Sequence, residues 1–191
     1  EIQDIFKIPL YKTTLSLDNK SIKSYCLSLS KKGKGVVHTN QGGWQSPGLN
    51  KDERPLQPLY TNIQSHANEF LKDLKYDGNV VLDNIWININ GYKDFNLLHK
   101  HDHCLISGVY YVSTPKDCGG VVFTRPGVDS FTYNWNNSQI EYNNYKGSMY
   151  FYSSPLNSNL TNLTKHAIFL PLMYNASFNI FTPDLYETIN P

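Results

Sequence analysis

Val80-Val81-Leu82-Asp83-Asn84-Ile85-Trp86-Ile87-Asn88-Ile89-Asn90 marks the point where the chain changes its period. Upstream, apolar residues recur at helical spacing. From residue 79 onward, short runs rich in Val, Ile, Tyr and Phe alternate with turn residues, the period-two pattern of strands. Within the quoted stretch Ile85, Ile87 and Ile89 share one face, and Trp86, Asn88 and Asn90 share the other. The pattern predicts strands over Val80 to Asn90, Cys104 to Ser113, Gly120 to Arg125, Ser148 to Tyr152, Lys165 to Leu170 and Tyr174 to Thr182. Pro115 to Gly120 reads as a hairpin connection. In the last strand Asn175, Ser177 and Asn179 fall on one side, and Tyr174, Ala176, Phe178 and Ile180 on the other. Two strands with a polar face either line a pocket or meet solvent.

Before this β-region, Leu17 to Leu29 reads as a helix, with Asp18 or Asn19 as its cap. Residues 36 to 58, around Gly42-Gly43-Trp44-Gln45-Ser46-Pro47-Gly48, read as an irregular segment. The helix predicted over Leu59 to Leu74 places Ile63, Ala67, Phe70, Leu71 and Leu74 on one stripe, which needs a sheet to cover it. Helices first and antiparallel strands after define an α+β chain, mainly β, whose helices brace one sheet of a sandwich or barrel. We read residues 1–191 as a single domain, with 1–78 a helical and irregular flank and 79–191 the β-core.

The chain is 40% hydrophobic and 17% charged, with net charge +1, which is the balance of a folded protein. Its basic residues are dispersed apart from Lys31, Lys32 and Lys34, so no nucleic-acid footprint is expected. No apolar run reaches the ~20 residues that span a bilayer, and Glu1 to Leu10 lacks the order of a signal peptide. Cys26, Cys104 and Cys118 are odd in number and widely spaced, as a reducing compartment would produce, so a cytoplasmic location is expected.

The densest chemical signal is Leu98-His99-Lys100-His101-Asp102-His103. On an extended chain His99, His101 and His103 point to one face. Two imidazoles converging from one strand can chelate a divalent metal, and His166, the one histidine downstream, can close the site. Imidazole suits Fe, Ni, Cu and Zn, and three facial ligands leave positions open for a co-substrate and dioxygen. The alternative is a fortuitous surface cluster. His38 and His66 fall in a loop and a helix and read as structural. Cys104, adjacent to the histidines, reads as a core residue on the opposite strand face. No nucleophilic triad or phosphate-cradling loop has local support.

His99-Lys100-His101 followed by Ile106-Ser107-Gly108-Val109-Tyr110-Tyr111-Val112 resembles the signature of a family of 2-oxoglutarate/Fe(II) oxygenases found in bacteria and their phages. Gly42 to Ser46, Trp86-Ile87-Asn88, Gly120 to Phe123 with Pro126, Gly147-Ser148-Met149 and Ser177-Phe178-Asn179 extend the likeness along nearly the whole chain. The resemblance implies a double-stranded β-helix (jelly-roll, cupin-like) with bracing N-terminal helices. It further implies an Fe(II) site, 2-oxoglutarate as co-substrate, and oxidation, typically hydroxylation, of an unidentified small-molecule or protein substrate. A homodimer pairing through the Leu59 to Leu74 helix is also compatible with it.

The chain departs from that family's usual pattern in three places. The usual motif pairs two histidines with one carboxylate, whereas His101 stands at the carboxylate position, so a three-histidine set is implied unless Asp102 or His103 substitutes through a bulge. A gapless comparison puts Ser158 at the distal ligand position, and a loop insertion puts His166 there. The arginine that usually clamps the far carboxylate of 2-oxoglutarate corresponds to Met173. Arg125, which shares strand parity with Val121 and Phe123, is the candidate replacement, helped by Asn175, Ser177, Asn179 or the hydroxyl of Tyr111. These departures motivate two alternatives: an inactive jelly-roll binding or structural protein, and a three-histidine dioxygenase that does not use 2-oxoglutarate.

Overall fold

A computed structural model describes residues 8–101, 104–115, 118–124, 139–143, 147–153, 157–161 and 167–177. The chain runs β1 (Leu10–Thr14), α1 (Asn19–Ser30), β2 (Asn40–Gln41), β3 (Trp44–Gln45), a 3-10 turn (Arg54–Leu56), α2 (Gln57–Asp73), β4 (Asn79–Ile85), β5 (Asn88–Asn90) and β6 (Phe95–His99). It continues through β7 (Ile106–Ser113), β8 (Gly120–Thr124), β9 (Gln139–Asn143), β10 (Ser148–Ser153), β11 (Asn157–Thr161) and β12 (Ala167–Ser177). Among these, the larger sheet has the order β1-β10-β7-β12-β5-β3, with β4 also pairing β12, and the smaller has the order β2-β6-β11-β8-β9. From β5 onward the chain passes back and forth between two antiparallel sheets, apart from the β8–β9 pair within the smaller one, which is the double-stranded β-helix. The architecture is α+β and mainly β.

Burial separates the two faces of the larger sheet. Ile106, Tyr110 and Val112 of β7 join Ile22 and Cys26 of α1 and Leu59, Ile63, Ala67, Phe70 and Leu71 of α2 in the main core. Val109 and Tyr111, of opposite parity, pack with Tyr150 of β10 and with Val121 and Phe123 of β8, filling the space between the sheets. The helices therefore brace the outer face, and the inner face is lined by the odd-numbered residues of β7. Asp18 caps α1 by accepting from the Ser21 amide at 3.1 Å. The apolar stripe of α2 is buried in this core. Leu74 caps α2 rather than extending it and is 37% exposed. Among the described residues no helix is long and apolar enough to cross a membrane.

The expected strand over Val80 to Asn90 divides into β4 and β5, and the described parts of the expected strands over Lys165 to Leu170 and Tyr174 to Thr182 merge into β12, residues 165–166 and 178–182 lying outside the described residues. One local arrangement explains both. Ile87 donates its amide to the Ser46 hydroxyl at 2.9 Å and accepts from the Ser46 amide at 2.9 Å. Its backbone is therefore satisfied outside the β12 ladder. The β5 partners of β12 end at Phe169 and the β4 partners begin at Leu172. Pro171, which has no amide hydrogen, falls in that interval, where neither strand has a register partner for it.

Three further expectations are corrected. β7 starts at Ile106 rather than Cys104. Pro115 to Gly120 is not a hairpin, because β7 and β8 belong to different sheets. Residues 157–161, read as part of a polar insertion, form β11 between β6 and β8. Gly42 and Gly43, both at positive φ (70° and 64°), turn the chain from β2 in the smaller sheet to β3 in the larger. A side chain at 43 would meet the Asn90 Oδ1 and the Ile89 carbonyl at 2.8 Å, so this landmark glycine is required sterically.

Candidate metal centre

The site forms where β6 leaves the smaller sheet. Asn96 is in register with Leu160 and His99 with Ser158, so three steps along β6 match two along β11. This bulge places Asn96 and His99 on the same face and leaves Leu97 and Leu98 46% and 47% exposed. Simple alternation does not carry on from His99 to His101, because the strand ends at His99.

His101 lies beyond the strand, and its ring returns to that of His99. The two Nε2 atoms are 3.0 Å apart and the ring centroids 4.9 Å apart. His99 Nδ1 lies 2.7 Å from the Leu97 carbonyl, which can only accept, so Nδ1 carries a proton and the neutral ring presents a lone pair at Nε2. His101 Nδ1 lies 3.0 Å from the Ser107 hydroxyl. The edge of the Trp86 indole packs on the His101 ring, with centroids 5.6 Å apart and planes at 72°.

The interior beside this pair is polar. Asn90 of β5 donates to Asn96 Oδ1 of β6 at 3.2 Å, joining the two sheets, and Asn96 donates to the Thr39 hydroxyl at 3.3 Å. Asn88, two residues before Asn90 and so on the same face, is 1% exposed, and its Oδ1 has no hydrogen-bond partner among the described residues. A buried acceptor without a donor is costly, and an occupant carrying an O–H or N–H group would relieve it. Tyr111, deeper on the same inner face as Ser107, is buried and meets the Tyr150 ring edge-on at 6.1 Å.

The remaining expected site residues are distributed as follows. Ser158 stands in register with His99. Asn175 and Ser177 pair with Val81 and Asn79 at the far end of β12, eight and ten residues from Ala167, the partner of Asn90. Met173 is in register with Ser107. Asp102, His103, Arg125, His166 and Asn179 lie outside the described residues. Arg54 is exposed in the 3-10 turn before α2, on the helical side. His66 is structural, with Nδ1 2.7 Å from the Tyr11 hydroxyl.

The reading from sequence missed two contributors. Ser107 was legible only as part of a motif, although its parity with Val109 and Tyr111 places it on the inner face. Cys104 is not remote from the site, because a turn places its thiol 3.4 Å from the His101 carbonyl and 3.2 Å from the Ser107 hydroxyl.

The donor set suits a divalent metal ion. Two imidazoles bound at about 2.1 Å on adjacent octahedral corners have their nitrogens about 3.0 Å apart, which is the separation seen here. Among the described residues no third His, Cys, Asp or Glu joins the pair.

Comparison with known proteins agrees with this fold. Residues 84–161 match the family model described as "Putative 2OG-Fe(II) oxygenase". No curated protein matches the chain. A Pseudomonas putida prolyl-4-hydroxylase superimposes with TM-score 0.67 at 10% identity, covering 88% of this chain and 93% of the other. The viral collagen prolyl hydroxylase of Paramecium Bursaria Chlorella virus-1, in its 2-oxoglutarate complex, gives TM-score 0.60 at 14% identity, covering 88% and 96%. HygX from Streptomyces hygroscopicus, solved with nickel and 2-oxoglutarate bound, gives 0.62 at 10% identity, covering 88% and 83%. At these identities the structures establish a shared fold. The segment that matches the family runs from β4 to β11 and contains His99, His101 and Ser107. Residues 84–161 are thus similar to a family of 2-oxoglutarate/Fe(II) oxygenases, and the whole described chain shares the fold of such enzymes.

Proposed function

We propose that His99 and His101 hold the Fe(II) of an oxygenase that hydroxylates a substrate yet to be identified, with His166 as the third imidazole. The observation that carries this reading is the 3.0 Å approach of the two Nε2 atoms. His99 Nε2 is a lone pair, so the contact is repulsive unless His101 places a proton in it or a cation joins the two rings. When bound, the metal with 2-oxoglutarate supplies the oxidising equivalent for a substrate C–H bond.

The residues of this chain do the positioning. The Leu97 carbonyl and Ser107 hydroxyl hold the Nδ1 sides of the two rings, and Trp86 shields one side of His101. Tyr111 and Arg125 are the proposed contacts for the far carboxylate of 2-oxoglutarate. Asn88 supplies an acceptor to whatever occupies the interior. We place the enzyme in the cytoplasm, on the basis of three cysteines that are all buried thiols.

One observation favours a second reading. Ser158, rather than a histidine, stands in register with His99 on the adjacent strand. A serine hydroxyl is a weak ligand, so the site would then rest on two imidazoles, with the remaining positions filled by co-substrate and water. Anaerobic addition of Fe(II) and then 2-oxoglutarate tests the proposal. The expected result is a weak visible charge-transfer band that is absent in His101→Ala. Fe(II) uptake without the band removes the co-substrate assignment. His166→Ala retaining full metal affinity decides for the two-imidazole site.

A further inference from the structure

The outer edge of β4 is covered at both ends and open between them. At one end Gln64 of α2 donates its side-chain amide to the Val80 carbonyl at 2.9 Å. At the other, the Leu49 amide donates to the Ile85 carbonyl at 2.8 Å, and the chain then turns away from the strand through Asn50 and Lys51. Both carbonyls therefore point away from β12. In an antiparallel strand the amide and carbonyl of one residue point to the same side, and the side alternates along the chain. Leu82, two residues after Val80, thus also directs its backbone outward. Every register partner of β4 lies on β12, and no described segment pairs with Leu82 on the outer side.

An open cavity of about 290 Å³ lies at this gap. Val81 and Leu82 both line it, although successive strand residues point to opposite faces. The cavity therefore runs along the edge of the strand rather than over either face. Its far wall is the first half of α2, where the Tyr60 and Thr61 hydroxyls are already bonded to the Asn50 and Gln57 carbonyls, and the Gln57 amide to that of Lys51. With those donors in use, two groups are left to recognise an occupant. One is the backbone of Leu82, and the other is the exposed ammonium of Lys51, which has no ion pair among the described residues.

We propose that this gap is a docking site for a short extended peptide of a partner protein, which adds one strand to β4 at Leu82 and sets a carboxylate against Lys51. In such sites main-chain pairing along an open edge supplies affinity, and the side-chain pocket supplies selectivity. The stretch from Val80 to Ile85, at about 3.3 Å per residue, has room for about four residues. A second copy of the chain does not fit the gap, because its own β4 edge is recessed between the same two covers. Leu82 is in register with Tyr174, and Tyr174 with Ile106, the residue before Ser107. A docked peptide therefore lies three strand spacings, about 14 Å, from the strand that carries Ser107. The gap shares no residue with the metal centre, and the proposal does not rest on the metal reading.

The test uses the full chain. A random dodecapeptide library displayed on phage is selected against wild type, with counter-selection on Thr61→Trp, whose side chain fills the cavity from the exposed side of α2. The enriched peptides are expected to carry Asp or Glu among β-branched residues and, as free peptides, to slow hydrogen exchange of the Leu82 amide. Lys51→Glu is expected to weaken them about tenfold or more, and Lys51→Arg, which keeps the charge, to retain them. Thermal midpoints identify a variant that fails to fold, and Lys51→Glu, at an exposed loop position, carries the comparison if Thr61→Trp does. The proposal is overturned by a selection that enriches no peptide, by peptides that bind Lys51→Glu as tightly as wild type, or by peptides that leave Leu82 exchange unchanged. Protection of Leu82 that grows with protein concentration in the absence of peptide assigns the edge to a second copy and overturns it as well.

Discussion

His99 Nε2 and His101 Nε2 lie 3.0 Å apart although their residues belong to different local structures, one the last residue of β6 and the other in the turn beyond it. A β-bulge and the buried Ser107 hydroxyl position them. Both imidazoles are partly exposed, so neither is required to fill the core. Replacing either with Ala should weaken Co(II) or Fe(II) binding by about a hundredfold or more, beyond the usual outer-shell effect. Folding stability should change by about 0.5 kcal/mol or less. Metal competition and urea denaturation of the same samples separate the two effects.

Gly108 lies directly across from Phe151 in the β7–β10 register. A Cβ at 108 would sit 2.5 Å from Phe151 Cδ1 and 3.0 Å from the Tyr150 carbonyl. Phe151 is fully buried and stacked with Phe70 at 6.4 Å, so it has little room to move. Gly108→Ala is expected to destabilise the fold by about 1–3 kcal/mol, read as a lower urea midpoint with unchanged slope. An unchanged midpoint would show that the ring is not held over the glycine.

Ser46 is 2% exposed and is the acceptor for the Ile87 amide where β4 gives way to β5. Ser46→Ala leaves that buried N–H without an acceptor, at a cost of about 1–3 kcal/mol. Because Trp86 packs on His101 from the same break, the variant should also lower Co(II) affinity. Calorimetry and metal competition measure the two consequences, and a loss of stability with unaltered affinity would uncouple the break from the site.

Tyr11 joins β1 to α2, its hydroxyl lying 2.8 Å from Glu69 Oε2 and 2.7 Å from His66 Nδ1. Burial first, and then the hydrogen bond and charge of Glu69, push its pKa up to about 12. A raised folded-state pKa means that the stabilisation is complete below the ordinary tyrosine value near 10 and is lost as pH rises through about 12. Tyr11→Phe should therefore be less stable than wild type at neutral pH, with the difference narrowing above pH 10. Thermal midpoints of both proteins across pH 7 to 12 check this. A constant difference would mean that the hydroxyl does not titrate in the folded range.

Much of the architecture was legible in local pattern. The apolar stripe of α2, the Asp18 cap and the change of period after residue 79 depend on neighbours within one or two turns, and these are the interactions that a linear reading captures. The inner and outer faces of β7 follow from alternation alone. The strands at 95–99 and 157–161 were not legible. Phe-Asn-Leu-Leu-His contains a bulge that breaks alternation, and Asn-Ser-Asn-Leu-Thr is held by pairing with β6 and β8 rather than by its own propensity. The break at Trp86-Ile87 was equally hidden, because it depends on Ser46, forty-one residues away.

By itself the sequence determined the fold class, the family resemblance and the histidine pair around which the site is built, since each is written in composition, period or contiguous motif. Tertiary structure alone decided how that pair is aimed. The His101 ring is met by a hydroxyl six residues away on the next strand, and its carbonyl by the Cys104 thiol. The position facing His99 is set by the register of β11, fifty-nine residues further along the chain. Imidazole orientation is set by hydrogen-bond partners and strand register, both of which form only when segments distant in sequence pack together.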